Sequence, residues 1–125
     1  MWKQGLLIFI GGGLGSLLRF GITKITAPMQ NFFPWATFSA NLLGCFLFGL
    51  IAGVLLQVDT LKSEGALLLL VGFCGGLTTF SSFINESHQL LSAQSFLLLV
   101  LYNIGSLFLG MLALALGYWI AKSMF

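Results

Sequence analysis

Long apolar stretches alternate with short polar ones along the chain. Four apolar segments cover residues 5–26, 36–56, 65–91 and 95–121. The connection at 27–35 holds both prolines, Pro28 and Pro34, and that at 57–64 holds Asp59, Lys62 and Glu64. A short polar stretch around 87–94 divides the last two segments. Prolines and charges mark the ends of spans because neither sits cheaply in hydrocarbon. Each segment has the roughly 20 residues that a helix needs to cross a bilayer. None alternates apolar and polar at every second residue, as a barrel strand would. The pattern predicts an all-α membrane protein, one domain of four transmembrane helices over residues 1–125.

Composition sharpens this picture. The chain is 58% hydrophobic and 6% charged, against about 25% charged residues in a soluble domain. Five Lys+Arg cannot form a basic face, which excludes a nucleic-acid partner. The apolar run after Met1-Trp2-Lys3 continues past the length of a signal peptide's core and reads as a first span. Cys45 and Cys74 both lie in apolar runs, with no Cys/His cluster to suggest a metal or disulfide framework. Four spans put Lys3, Lys62 and Lys122 on one side and Lys24, with Arg19 if it snorkels, on the other. That weak bias is compatible with one orientation or with insertion in both.

Polar residues inside the spans narrow the function. Asn41 and Asn103 need partners, because a bare amide in hydrocarbon costs about 4–8 kcal/mol. Either joins helices by a hydrogen bond, and Asn41 is also a candidate pore-lining donor. Arg19 reads as an interfacial anchor, a clamp, or a source of positive field at a pore mouth. Glu86 and His88 read as interfacial. Tyr102 and Ser106 share a helical face with Gly110. Gly75-Gly76-Leu77-Thr78-Thr79-Phe80-Ser81-Ser82-Phe83 is the most informative stretch. It reads as a glycine-packed continuous helix or as a helix broken near residues 75–79, with hydroxyls satisfying the freed backbone. Phe80 and Phe83 fall on one face. The chain has no catalytic triad, paired carboxylates or phosphate loop, so it is not read as an enzyme.

Four blocks together resemble the Fluc/CrcB fluoride channels of microbes. They are Gly11-Gly12-Gly13-Leu14-Gly15-Ser16-Leu17-Leu18-Arg19-Phe20, the block from Pro34 through Asn41 to Phe46, the block from Gly72 to Phe83, and Tyr102 with Ser106. Ala36 and Cys45 stand where a glycine and a serine are usual, and Ser82 replaces a threonine. The resemblance implies an antiparallel, dual-topology homodimer in the plasma or inner membrane, with two passive fluoride-export pathways lined by both subunits. Asn41, Thr79, Ser81, Ser82, Tyr102 and Ser106 would supply donors to the anion, and Phe80 and Phe83 positive ring edges. Arg19 and Glu86 would be structural or vestibule residues. A structural Na⁺ at the dimer centre would be held by the backbone carbonyls of Gly75 and Thr78, and a side chain at Gly75 would disrupt the break. A small dual-topology proton-coupled multidrug exporter and a non-transporting structural tetraspan protein are the alternatives. The exporter needs a membrane-embedded carboxylate, for which Glu86 is the one candidate.

Overall fold

A computed structural model describes residues 1–59 and 62–125. Thr60, Leu61 and the Lys62 side chain, part of the expected 57–64 connection and of the charge count, lie outside the described residues. Helix α1 is Trp2–Thr26 and α2 is Trp35–Leu55. Helix α3 covers 62–77, α4 is Phe80–Ser92 and α5 is Phe96–Ser123. No strand occurs among the described residues. Four helical stretches, Trp2–Met29, Trp35–Leu55, Ser63–Ser92 and Phe96–Ser123, are long and apolar enough to cross a membrane. Leu17 and Phe108 are more than half exposed on the outside of the bundle, as lipid-facing residues are.

The connections are built by local chemistry. A 3₁₀ turn at Ala27–Met29 and Pro34 end α1 and open α2. Between α4 and α5, Gln94 takes the left-handed conformation (φ 56°). Ser95 N–H then bonds the Leu90 carbonyl at 2.9 Å and Gln94 N–H that of Leu91 at 3.0 Å, a Schellman ending that turns the chain back in three residues. Lys3 Nζ meets Glu64 Oε1 at 2.6 Å, placing the start of α1 beside the start of α3.

Packing divides the bundle into two close pairs, α1 with α3 and α2 with α5. Both seams rest on small residues. A Cβ at Gly15 would come within 2.8 Å of Leu77 N, and one at Gly76 would overlap the Gly12 carbonyl. In the other seam a Cβ at Gly117 would come within 2.6 Å of Leu50 N. Where lipid replaces water there is no hydrophobic drive between helices, so backbone approach of this kind supplies the cohesion.

Helix α3 is irregular in two places. Ala66–Cys74 is a π-helix of nine residues, which the apolar pattern did not indicate. Beyond Gly75–Leu77 the helix stops, and Thr78 (φ −85°, ψ 154°) and Thr79 (φ −147°, ψ 120°) are extended. The break therefore falls at the end of the expected window. Gly75 itself is helical (φ −63°, ψ −37°), so the glycine pair is not where the helix opens.

Candidate functional site

The break is held open by side chains from two other helices. From α2, Asn41 accepts the Thr79 N–H at 2.8 Å and donates through Nδ2 to the Thr79 carbonyl at 3.2 Å. One amide thus replaces both backbone partners that an extended residue loses. From α1, Arg19 Nε donates to the Gly76 carbonyl at 3.1 Å. Thr78 Oγ1 returns to the Cys74 carbonyl at 2.9 Å, and Thr79 Oγ1 caps α4 by accepting Ser82 N–H at 3.3 Å.

These bonds decide which carbonyls are released. In a continuous helix the Gly75 carbonyl would accept Thr79 N–H, and the Thr78 carbonyl would accept Ser82 N–H. Asn41 takes the first donor and Thr79 Oγ1 the second. The carbonyls of Gly75, Gly76, Leu77 and Thr78 all lose their helical donors at the break, and Arg19 occupies that of Gly76.

Beside the break lies a cavity of about 520 Å³, open on one side and lined by α2, α3, α4 and α5. Asn41, Gly75, Thr78, Thr79, Phe80, Phe83 and Ser106 all face it. The Phe80 ring is 75% exposed and lies 6.2 Å from that of the buried Phe83. Ser106 Oγ is buried and has no hydrogen-bond partner. A buried hydroxyl without a partner is uncommon enough to need a reason, and here the cavity is its neighbour. Gly75 is exposed, and a Cβ there would meet nothing nearer than the Leu70 carbonyl at 3.9 Å. The expectation that a side chain at Gly75 disrupts the break therefore finds no support within one chain.

The remaining anticipated residues lie outside this cavity. Ser81 is exposed with its Oγ 3.4 Å from Thr79 Oγ1, and Ser82 is half-buried. Tyr102 is fully buried, and its hydroxyl donates to Glu86 Oε2 at 2.7 Å. Thr37 Oγ1 donates to Glu86 Oε1, also at 2.7 Å. Glu86 is thus more than an interfacial charge, because it ties α4 to α2 and α5. It also lines a second cavity of about 390 Å³ with Gln30, Asn31, Gln89 and Ser95. The Phe83 ring, on the wall of the larger cavity, contacts that of Tyr102 at 5.0 Å. His88 is exposed. Asn103 bonds Ser87 across α4 and α5, with Nδ2 donating to Ser87 Oγ at 3.0 Å.

Thr37 was absent from the sequence-based set. A signal for the Glu86–Tyr102 pair was nevertheless available. Each lies six residues from its helix's end at the tight α4–α5 turn. An antiparallel hairpin brings residues at equal depth together.

Residues 6–118 match the family model described as CrcB-like protein, Camphor Resistance (CrcB). The chain belongs to the CrcB-like family. Its relatives include the fluoride-specific ion channel FluC of Phocaeicola vulgatus, 43% identical over 96% of this chain and 99% of that one. The protein of the same name from Flavobacterium psychrophilum is 44% identical, over 98% and 99%. That from Thermus thermophilus is 45% identical, over 93% and 91%. The match covers nearly the full length of both chains in each case, so break, cavity and seams all fall within it. This CrcB-like chain is a multi-pass membrane protein of a family of channels rather than enzymes.

Proposed function

We propose that this chain is a passive, fluoride-selective channel that exports fluoride across the plasma or inner membrane. The observation that carries the reading is the unpartnered Ser106 hydroxyl in a cavity shared with Asn41, Thr79, Phe80 and Phe83, in a chain whose full-length relatives are named fluoride channels. A small anion is costly to dehydrate, on the order of 20 kcal/mol for a carboxylate-sized ion before relaxation. A hydrogen bond to charge returns about 1.5–3 kcal/mol. Several donors, ring edges and retained water must therefore act together. Fluoride accepts stronger hydrogen bonds than chloride, so a narrow donor-lined route favours it.

The cavity is open on one side, and a second copy would close it. Two antiparallel copies, inserted in both orientations, would cross at the break and line two pathways. The exposed Phe80 and the unobstructed Gly75 support this arrangement, because neither has a partner for its outward face within one chain. Ser81, Ser82 and Tyr102 then extend the route beyond the cavity. The smaller cavity beneath Glu86 serves as a vestibule, and Arg19 keeps the break open.

A structural sodium ion fits the crossing point. The carbonyls of Gly75 and Thr78 are among those that lose their helical donors at the break, and carbonyl oxygens suit a hard cation. Two from each chain would hold the ion. Bound there, sodium would offset repulsion between the two sets of carbonyl dipoles. The relatives' names favour neither the exporter nor the structural tetraspan reading.

Fluoride and chloride efflux from proteoliposomes, followed with ion-selective electrodes in Na⁺ and in N-methylglucamine, tests this reading. Fast fluoride and negligible chloride efflux is expected, weakened when the organic cation replaces sodium. Equal efflux of the two anions would refute the channel assignment. Indifference of both flux and dimer stability to the cation would refute the sodium site alone.

A further inference from the structure

The smaller cavity, of about 390 Å³, lies between the α1–α2 connection and the α4–α5 turn, with Asn31, Phe33, Glu86, Gln89 and Ser95 on its walls. The membrane-spanning stretches end or begin around it, at Met29, Trp35, Ser92 and Phe96, so it sits at the depth of the lipid headgroups. No lysine, arginine or histidine among the described residues lines it, and Glu86 is the charged residue on its wall. Glu86 is half-buried and forms no ion pair among the described residues. Its Oε1 accepts from Thr37 Oγ1 and its Oε2 from the Tyr102 hydroxyl, both at 2.7 Å. A carboxylate has about four acceptor sites, so two neutral donors leave about half of them open and the charge uncompensated. A charge withdrawn from water is ordinarily paired. The Phe33 ring stands edge-to-face with that of Tyr102 at 5.4 Å, so an aromatic ring and the carboxylate flank the same phenol.

We propose that this cavity binds a primary ammonium group, carried by a phospholipid headgroup or by a free amine. The lone carboxylate sets the sign of the ligand's charge. The lining sets its kind. No cluster of three or more His, Cys, Asp or Glu occurs among the described residues, whereas a hard metal ion gathers six or more oxygens. An aromatic ring beside a carboxylate instead suits an organic cation, whose charge the ring attracts and whose hydrocarbon part it covers. The open acceptor sites choose among organic cations. A primary ammonium has three N–H donors for Glu86 and the amide oxygens of Asn31 and Gln89, and a quaternary ammonium has none. The depth of the cavity is where an aminophospholipid presents such a group, and Phe32 on the rim is exposed toward the surrounding lipid. The site needs only the cavity. Its consequence for conduction, cancelling the field of a carboxylate at the mouth of an anion route, rests on the channel reading.

The test melts purified protein in detergent with ethanolamine hydrochloride, tetramethylammonium chloride or sodium chloride, at equal ionic strength and neutral pH. Ethanolamine should raise the melting temperature saturably, by about 3–6 °C at ten times the half-saturating concentration, and the other two salts should not. Glu86→Gln keeps the size of the side chain, removes the charge, and should lose the response. If that variant does not elute as folded protein on gel filtration, Gln89→Lys takes its place. It changes an exposed helical position on the cavity wall and offers the cavity an ammonium of its own, so it too should lose the response. No shift with ethanolamine, equal shifts with the three salts, or a full shift in the variant would overturn the site. Mass spectrometry of the intact protein, after exposure to equal amounts of phosphatidylethanolamine and phosphatidylcholine, assigns the source. Selective retention of phosphatidylethanolamine, reversed by ethanolamine, identifies the headgroup, and an ethanolamine shift without selective retention identifies a free amine. Fluoride efflux is read in neither arm, so a chain that failed to conduct would count against the channel reading and leave this site standing.

Discussion

Helix α3 presents two faces with the same kinds of residue and opposite surroundings. Toward α1, Gly72 and Gly76 meet Gly11 and Gly12 so closely that a Cβ at either seam position would press on backbone. Toward the cavity, Gly75 has open space, Phe80 is exposed and Ser106 has no hydrogen-bond partner. Gly75 and Gly76 are adjacent in the chain and fall on different sides of this divide. The comparison teaches that a small residue in a membrane helix has no single meaning. One glycine permits a contact already made within the chain, and its neighbour leaves room for a contact not made within it.

The largest effect should come from filling the seam. Gly76→Val puts a side chain into the Gly12 backbone, which cannot yield as a flexible side chain would. Overpacking usually costs about 1–3 kcal/mol and sometimes more. Little folded protein should elute at the native position on gel filtration, and a normal yield would show that the seam can part.

Next is Asn41→Asp, which acts where seam and cavity meet at the break. The carboxylate can still accept Thr79 N–H but loses the bond to the Thr79 carbonyl. It also adds negative charge beside an anion route. Fluoride efflux should be abolished, with thermal stability lowered by the cost of one unsatisfied buried group, about 1–3 kcal/mol. Normal efflux would remove Asn41 from the pathway.

Phe80→Ile and Phe83→Ile should each reduce efflux sharply while the protein remains folded, because the substitution removes ring edges and keeps apolar bulk. Efflux that simply follows the amount of protein recovered would make the rings packing residues. The smallest effect on the single chain is expected from Gly75→Ala. The helical φ and ψ there suit alanine and no atom obstructs it. The chain should fold normally, while the dimer on gel filtration and the efflux both weaken. An unaffected dimer would place the contact between copies elsewhere.

Hydropathy and the two prolines made the four spans legible, because burial in lipid imposes one rule along each helix. The observed helices differ from the expected segments by a few residues at their ends. The glycine–hydroxyl run from Gly75 to Phe83 pointed to a break near residues 75–79, without saying which residue in that window opens. The structure places it at Thr78–Thr79, where Asn41 supplies the compensating bonds from another helix. The π-helix at Ala66–Cys74 left no trace in the pattern, since its i→i+5 bonding has no compositional signature and arises where the helix is packed. Glu86 was read as interfacial because hydropathy treats a carboxylate without its partners. Thr37 and Tyr102, at 2.7 Å, are what allow it to sit within the bundle. Five of the anticipated pathway residues, counting Asn41, Thr79, Phe80, Phe83 and Ser106, line one cavity, while Ser81, Ser82 and Tyr102 do not.

Ser106→Ala tests most directly whether the open side of α3 is the conducting side. The hydroxyl has no partner in the chain, so its removal should leave thermal stability equal or raise it. If it serves the anion, its loss removes a charge-assisted bond of about 1.5–3 kcal/mol, a reduction in rate of about tenfold or more. The measurement is fluoride efflux per folded protein in proteoliposomes, paired with a melting curve. Slower efflux from an equally or more stable protein is the predicted result. Unchanged efflux would contradict the assignment of this cavity to the fluoride pathway.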